Sequence, residues 1–139
     1  FSCSGGSGAD GFCVQWTTTN DSAGLQGGSV GVIANSSTIN AFLFQTFTNN
    51  RIYWYHNNAP QTTQNLLLSI RQNIYYWMDY DYATSTMTIY YSTTNTKPGS
   101  SQHTFTGVTF DDGNYYLGFG AANGGVTDYH VLKSMSLFI

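Results

Sequence analysis

Glutamate is absent from this chain. All seven acidic residues are aspartates, only four lysines and arginines accompany them, and charged residues make up 8% of the 139 positions. An average soluble protein carries roughly 25%. Glu, Lys, Ala and Leu are the usual helix formers, and their scarcity excludes helical bundles and coiled coils. A formal net charge of −3 excludes a nucleic-acid binder that relies on Lys and Arg. Any mechanism that needs a catalytic Glu is excluded as well. No apolar run approaches the roughly 18 residues of a membrane-spanning helix, so no transmembrane segment is expected.

What is present favours strands. Thr, Tyr, Phe, Ile, Val and Trp are plentiful, and each suits a pleated, half-buried surface. Hydrophobic residues are 41% and aromatic residues 17% of the chain. That is enough for one domain with a packed core, and residues 1–139 read as a single domain. The surface must then consist largely of Ser, Thr, Asn, Gln and Gly, a composition common in extracellular proteins, cell-wall proteins and sugar binders. The chain shows neither an initiator Met nor a signal-like segment and reads as a mature or excised product.

Cys3 and Cys13 are the only cysteines. The expected arrangement is a disulfide closing one hairpin, which implies an oxidising compartment; the alternative is a reactive or metal-binding thiol. Asn20-Asp21-Ser22 and Asn35-Ser36-Ser37 are candidate N-glycosylation acceptors. Both features fit a secreted protein or one in the secretory-pathway lumen.

Short β-type runs separated by turn residues recur along the whole chain. They cover Gly11 to Thr17, Ser29 to Ala34, Ile39 to Phe47, Arg51 to His56, Leu66 to Ile70, Ile74 to Asp81, Thr86 to Ser92, His103 to Phe110, Tyr115 to Ala121 and Tyr129 to Ile139. Asn57-Asn58-Ala59-Pro60 reads as a turn. Thr86 to Ser92 alternates with a clean period of two. The expected fold is all-β: an antiparallel two-sheet β-sandwich, or jelly roll. Aromatic clusters at Tyr53-Trp54-Tyr55, Tyr75-Tyr76-Trp77 and Tyr115-Tyr116 fit core on one strand face and exposed Tyr on the other. They also fit a stacking surface for sugars.

Several motifs appear in a fixed order. Ala9-Asp10-Gly11-Phe12 follows Phe1-Ser2-Cys3. Gly27-Gly28-Ser29-Val30-Gly31 comes next, then Phe44-Gln45-Thr46-Phe47-Thr48-Asn49. Trp77-Met78-Asp79-Tyr80-Asp81 precedes Thr86-Met87-Thr88-Ile89-Tyr90. Tyr116-Leu117-Gly118-Phe119-Gly120-Ala121-Ala122-Asn123-Gly124 leads to Asp128-Tyr129-His130-Val131-Leu132 and Ser134-Met135-Ser136-Leu137-Phe138. In this series the chain resembles the leguminous (L-type) lectins, including the cargo-receptor lectins of the secretory pathway. The resemblance implies a concanavalin-like sandwich with a sugar site at one rim. Asp10 would accept hydrogen bonds from two sugar hydroxyls, and Gly28 would donate its backbone N–H. Phe47 would stack on the apolar face of the pyranose, and Asn49 would donate from its amide. Asn123, Gly124 and Gly125 would lie in the sugar-selecting loop. A carboxylate, an amide and a ring match a pyranose, which offers an edge of hydroxyls and a flat C–H face.

The sequence departs from the family pattern in three places. The metal-ligand positions hold Leu43 and Gln45, and Asn49-Asn50 runs straight into Arg51-Ile52-Tyr53. Calcium needs several oxygen ligands, so no bound calcium or manganese is expected and no cofactor is assigned. Arg51 falls where the family places a metal-binding His; its guanidinium would replace the cation by pairing with Asp10 or holding Asn49, or else it is an exposed residue at a strand end. Finally, the strands that precede the Ala-Asp-Gly turn in the family are missing. The expected consequences are exposed sheet edges and self-association through them, up to a filament.

Catalysis is not expected. Asp79 and Asp81 share a strand face and resemble a carboxylate pair, but they match the lectin hairpin. Asp111-Asp112-Gly113-Asn114 reads as a turn. His56, His103 and His130 have no nucleophile motif beside them. The expected function is non-catalytic binding of glycans or glycoproteins without metal. The alternative is a structural subunit of an extracellular fibre or surface coat.

Overall fold

A computed structural model describes residues 2–4, 10–20, 38–46, 50–57, 59–66, 72–123 and 129–138. Ten strands are present among them: β1 (Ser2–Ser4), β2 (Gly11–Thr17), β3 (Thr38–Gln45), β4 (Arg51–His56), β5 (Ala59–Asn65), β6 (Tyr75–Asp81), β7 (Thr86–Ser92), β8 (His103–Thr106), β9 (Tyr116–Ala122) and β10 (Tyr129–Val131). The described residues contain no helix. Five strands form one antiparallel sheet in the order β5-β4-β3-β2-β9, and three form a second in the order β6-β7-β8. The molecule is an antiparallel β-sandwich.

Alternation along each strand separates core from outer face. Phe12, Val14 and Trp16 of β2, Phe42 and Phe44 of β3, and Ile52 and Trp54 of β4 point to the second sheet. They meet Tyr76, Met78 and Tyr80 of β6, Met87, Ile89 and Tyr91 of β7, and Phe105 of β8. Aromatic contacts hold the sheets together. Phe12 stacks on Phe44 at 4.6 Å, and Tyr76 meets both rings edge-on. Phe105 packs against Phe42 and Trp54. Such pairs add to the burial term because ring edges and faces carry opposite partial charge. The opposite face of the larger sheet carries a smaller buried cluster, Cys13, Ala41 and Leu43, flanked by Tyr53 and Tyr55.

Buried polar groups tie the two layers. Asn40 is fully buried; its amide donates to the Thr109 carbonyl, and its oxygen accepts from Trp54 Nε1 at 3.0 Å and His56 Nδ1 at 3.2 Å. Gln64 on β5 reaches β8 twice, donating to the Thr104 carbonyl and facing His103 Nδ1 at 2.8 Å.

Several expected boundaries shift. Ala59 and Pro60 belong to β5 rather than to a turn, and β5 itself had no counterpart among the expected strands. Its sequence is polar and mostly exposed because it is a sheet edge, paired only to β4. An edge position also tolerates a residue without an N–H. The last strand ends at Val131, and residues 132–138 are exposed. The expected run Ser29 to Ala34 lies outside the described residues, as do residues 67–70 of the run expected from Leu66.

The expected Cys3–Cys13 bridge needs correction. Cys13 is a free, buried thiol, and the hairpin that was to bring Cys3 to it does not form. β1 pairs with β10, placing Cys3 opposite His130, whereas β2 is held between β3 and β9.

Candidate functional site

Five strand ends meet at one rim of the larger sheet. Gly11 opens β2 opposite Gln45, which closes β3, and opposite Ala122, which closes β9. Gln45 faces Arg51 at the start of β4, and Arg51 faces Asn65 at the end of β5. Antiparallel pairing thus gathers Asp10, Thr46, Asn50, Leu66 and Asn123 at the same edge.

The local backbone explains why Asp10 stays there. Its N–H donates to the Ala122 carbonyl at 2.8 Å, and its own carbonyl accepts from the Thr46 N–H at 2.9 Å. The next residue, Gly11, has φ +140° and lies against the Phe44 carbonyl, where a Cβ would collide. Only glycine combines that backbone with that approach. The Asp-Gly pair therefore turns the chain into β2 while keeping Asp10 between the ends of β9 and β3.

Asp10 is 7% exposed, and its Oδ2 has no hydrogen-bond partner. The same is true of two neighbouring strand ends: Thr46 Oγ1 and Arg51 Nε are buried without partners. An unpaired buried polar atom costs about 1–3 kcal/mol, and most buried polar atoms avoid that state. Here a carboxylate acceptor, a hydroxyl and a guanidinium donor are left unsatisfied at one rim. Thr46 was not singled out from the sequence, because a lone Thr after a strand carries no pattern of its own.

Arg51 does not pair with Asp10: the described residues hold no salt bridge between them. β3 lies between β2 and β4, so a pair would have to reach across about 10 Å of backbone separation, and the Arg51 side chain does not extend across that gap. Nor is Arg51 simply an exposed strand end, since it is partly buried and its Nε is covered. Leu43, where the resemblance would place a carboxylate, is buried with Cys13 and Ala41, and Gln45 is partly buried.

Asn123 lies at the rim end of β9 and is exposed; its Oδ1 is 3.2 Å from His130 Nε2, which ties it to β10. Asn20 is exposed. Gly28, Phe47, Asn49, Gly124, Gly125 and Asn35 lie outside the described residues.

Asp79 and Asp81 do share the solvent face of β6, but each has a local partner. Lys97 forms an ion pair with Asp79. Asp81 caps the β6–β7 turn, accepting from the Ala83 N–H and the Thr84 hydroxyl. The Thr84 hydroxyl, with help from backbone N–H groups, holds the Asp81 carboxyl below the usual carboxylate range.

Comparison with known proteins finds no matching family model, curated protein or solved structure. The likeness to L-type lectins thus rests on the ordered motifs of the sequence.

Proposed function

We propose that the protein is a non-catalytic, metal-independent carbohydrate-binding domain whose site is the rim around Asp10. The observation that carries this reading is the buried, unpartnered Asp10 Oδ2. A carboxylate held by its backbone and short of donors is an acceptor ready for sugar hydroxyls. Gly28, Phe47, Asn49, Asn123, Gly124 and Gly125 complete the site by resemblance. Arg51 contributes a donor from β4. The ligand class is a glycan or glycoprotein in an extracellular or luminal setting.

A glycan array tests it. Wild type binds a subset of glycans, and Asp10→Asn, which keeps the volume and removes the charge, loses at least about 2 kcal/mol, or some thirtyfold, of affinity. Equal binding by a folded Asp10→Asn variant would falsify the assignment.

One observation favours a second reading, a structural subunit of an extracellular fibre or coat. Beyond β10, Leu132, Met135, Leu137 and Phe138 are exposed, Phe138 at 91%. Contiguous exposed apolar residues commonly mark association sites. Under this reading sedimentation shows concentration-dependent assembly that Leu137→Ser/Phe138→Ser abolishes, and the array shows no binding.

A further inference from the structure

The solvent face of the smaller sheet carries an aromatic strip that the rim site does not use. Alternation along β6 sends Tyr76, Met78 and Tyr80 into the core. It sends Tyr75, Trp77, Asp79 and Asp81 outward. Trp77 lies opposite Tyr90 of β7, and Tyr75 opposite Ser92. The Tyr75 and Trp77 rings are nearly parallel, with an interplanar angle of 24° and centroids 6.4 Å apart. Tyr75 is 41% exposed, and Trp77 and Tyr90 are partly exposed. Leaving such rings in water forgoes a large burial term.

The surroundings of the strip decide what fits it. Lys97 Nζ lies 4.3 Å from the Tyr90 ring centroid and pairs with Asp79. Lys97 and Asp79 therefore neutralise each other, Asp81 is engaged by its own turn, and Lys133 at the strip's end donates to the neutral Asn73 side chain. Thr88, Thr86, Thr104 and Thr106 continue the same face across β7 and β8 by register. The face thus combines ring surfaces, hydroxyls and a closed ion pair. Among the described residues, the charges on the outward face of β6, Asp79 and Asp81, are both engaged and offer a highly charged partner little to pair with. A purely apolar partner would strand the threonine hydroxyls and the ion pair.

We propose that this face is a second binding surface, for a neutral polysaccharide chain, with Tyr75 and Trp77 stacking on the C–H faces of sugar rings and the threonines meeting ring hydroxyls. The assignment does not depend on the rim site, because it uses the other sheet and none of the same residues. A chain bound here would run over the outside of the sandwich rather than present one terminal sugar to a pocket.

Native affinity electrophoresis in gels containing hydroxyethylcellulose, arabinoxylan or galactomannan tests the proposal. At least one polymer retards the wild-type protein. Trp77→Ala weakens that retardation about tenfold, Tyr75→Ala about threefold, and Trp77→Tyr keeps most of it. Circular dichroism verifies that each variant is folded, and Tyr75→Ala removes a side chain outside the core. Asp10→Asn leaves the retardation unchanged, so failure of the rim reading and failure of this one are separable. The proposal is overturned if no neutral polymer retards the wild type. It is overturned equally if both alanine variants are retarded like wild type, or if sedimentation shows that these substitutions act by abolishing a dimer.

Discussion

At the scale of single residues, Gly11 and Cys13 make the sharpest demands on their positions. The collision awaiting any Cβ at Gly11, added to its φ of +140°, means that Gly11→Ala destabilises the fold by about 2 kcal/mol or more. Urea denaturation measures this directly, and a neutral effect would show that β2 begins differently. Cys13 is buried in β2, between β3 and β9 of the larger sheet. Burial pushes its pKa up to about 12, against a smaller opposite effect from the Gly120 backbone. The thiol is therefore protonated and inert in the native protein. Iodoacetamide at pH 8 leaves Cys13 unmodified until denaturant is added, with no reductant needed. A Cys3–Cys13 cross-linked peptide in the mass spectrum would contradict this. Because the thiol ionises more readily in the unfolded chain, its contribution also makes stability fall as pH rises past about 9.

At the scale of elements, the inter-sheet tie through His103 links β5, β7 and β8. Gln64 donates from Nε2 to Thr104, so its oxygen faces His103 Nδ1 and requires that nitrogen to carry the proton. His103 Nε2 then accepts from the Tyr91 hydroxyl at 3.2 Å. The neutral ring is satisfied on both sides. A second proton on Nε2 would confront the Tyr91 hydroxyl, the titratable partner on β7. Burial lowers the His103 pKa below its usual 6.5. The unfolded chain takes up that proton at higher pH than the folded one, so the stabilising contribution is complete above about pH 6.5 and declines as pH falls below it. NMR titration should place the His103 midpoint below 6.5, and a midpoint at or above it would contradict the arrangement.

How legible these elements were follows from their environment. β2, β4 and β7 match the expected runs end to end; β4 and β7 bury alternate residues and so write a period of two into the sequence, whereas β2, buried on both faces, stands out as a compact apolar and aromatic run after the Gly/Ser-rich turn. β5 buries almost nothing and leaves no such trace. The run from His103 stops at Thr106, although Val108 is buried, because Gly107 at φ +77° turns the chain. At the rim, the Asp-Gly pair was legible as a motif. The separation of Cys13 from Cys3 and of Arg51 from Asp10 depends on strand order, which no local pattern encodes.

At the scale of the whole molecule, two sheets enclose an aromatic core, and strand pairing distant in sequence, β2 with β9, assembles the rim. Asp10 is anchored by both neighbours of β2, so the sandwich itself positions it at the rim. Leu43 is an apolar side chain buried beside Cys13 and Ala41. The decisive measurement is calorimetric titration of the strongest array glycan into protein dialysed against EDTA, alongside Asp10→Asn. The account predicts unchanged affinity after chelation and loss of binding in the variant. Binding that vanishes with EDTA and returns with calcium, or that survives in Asp10→Asn, would contradict it.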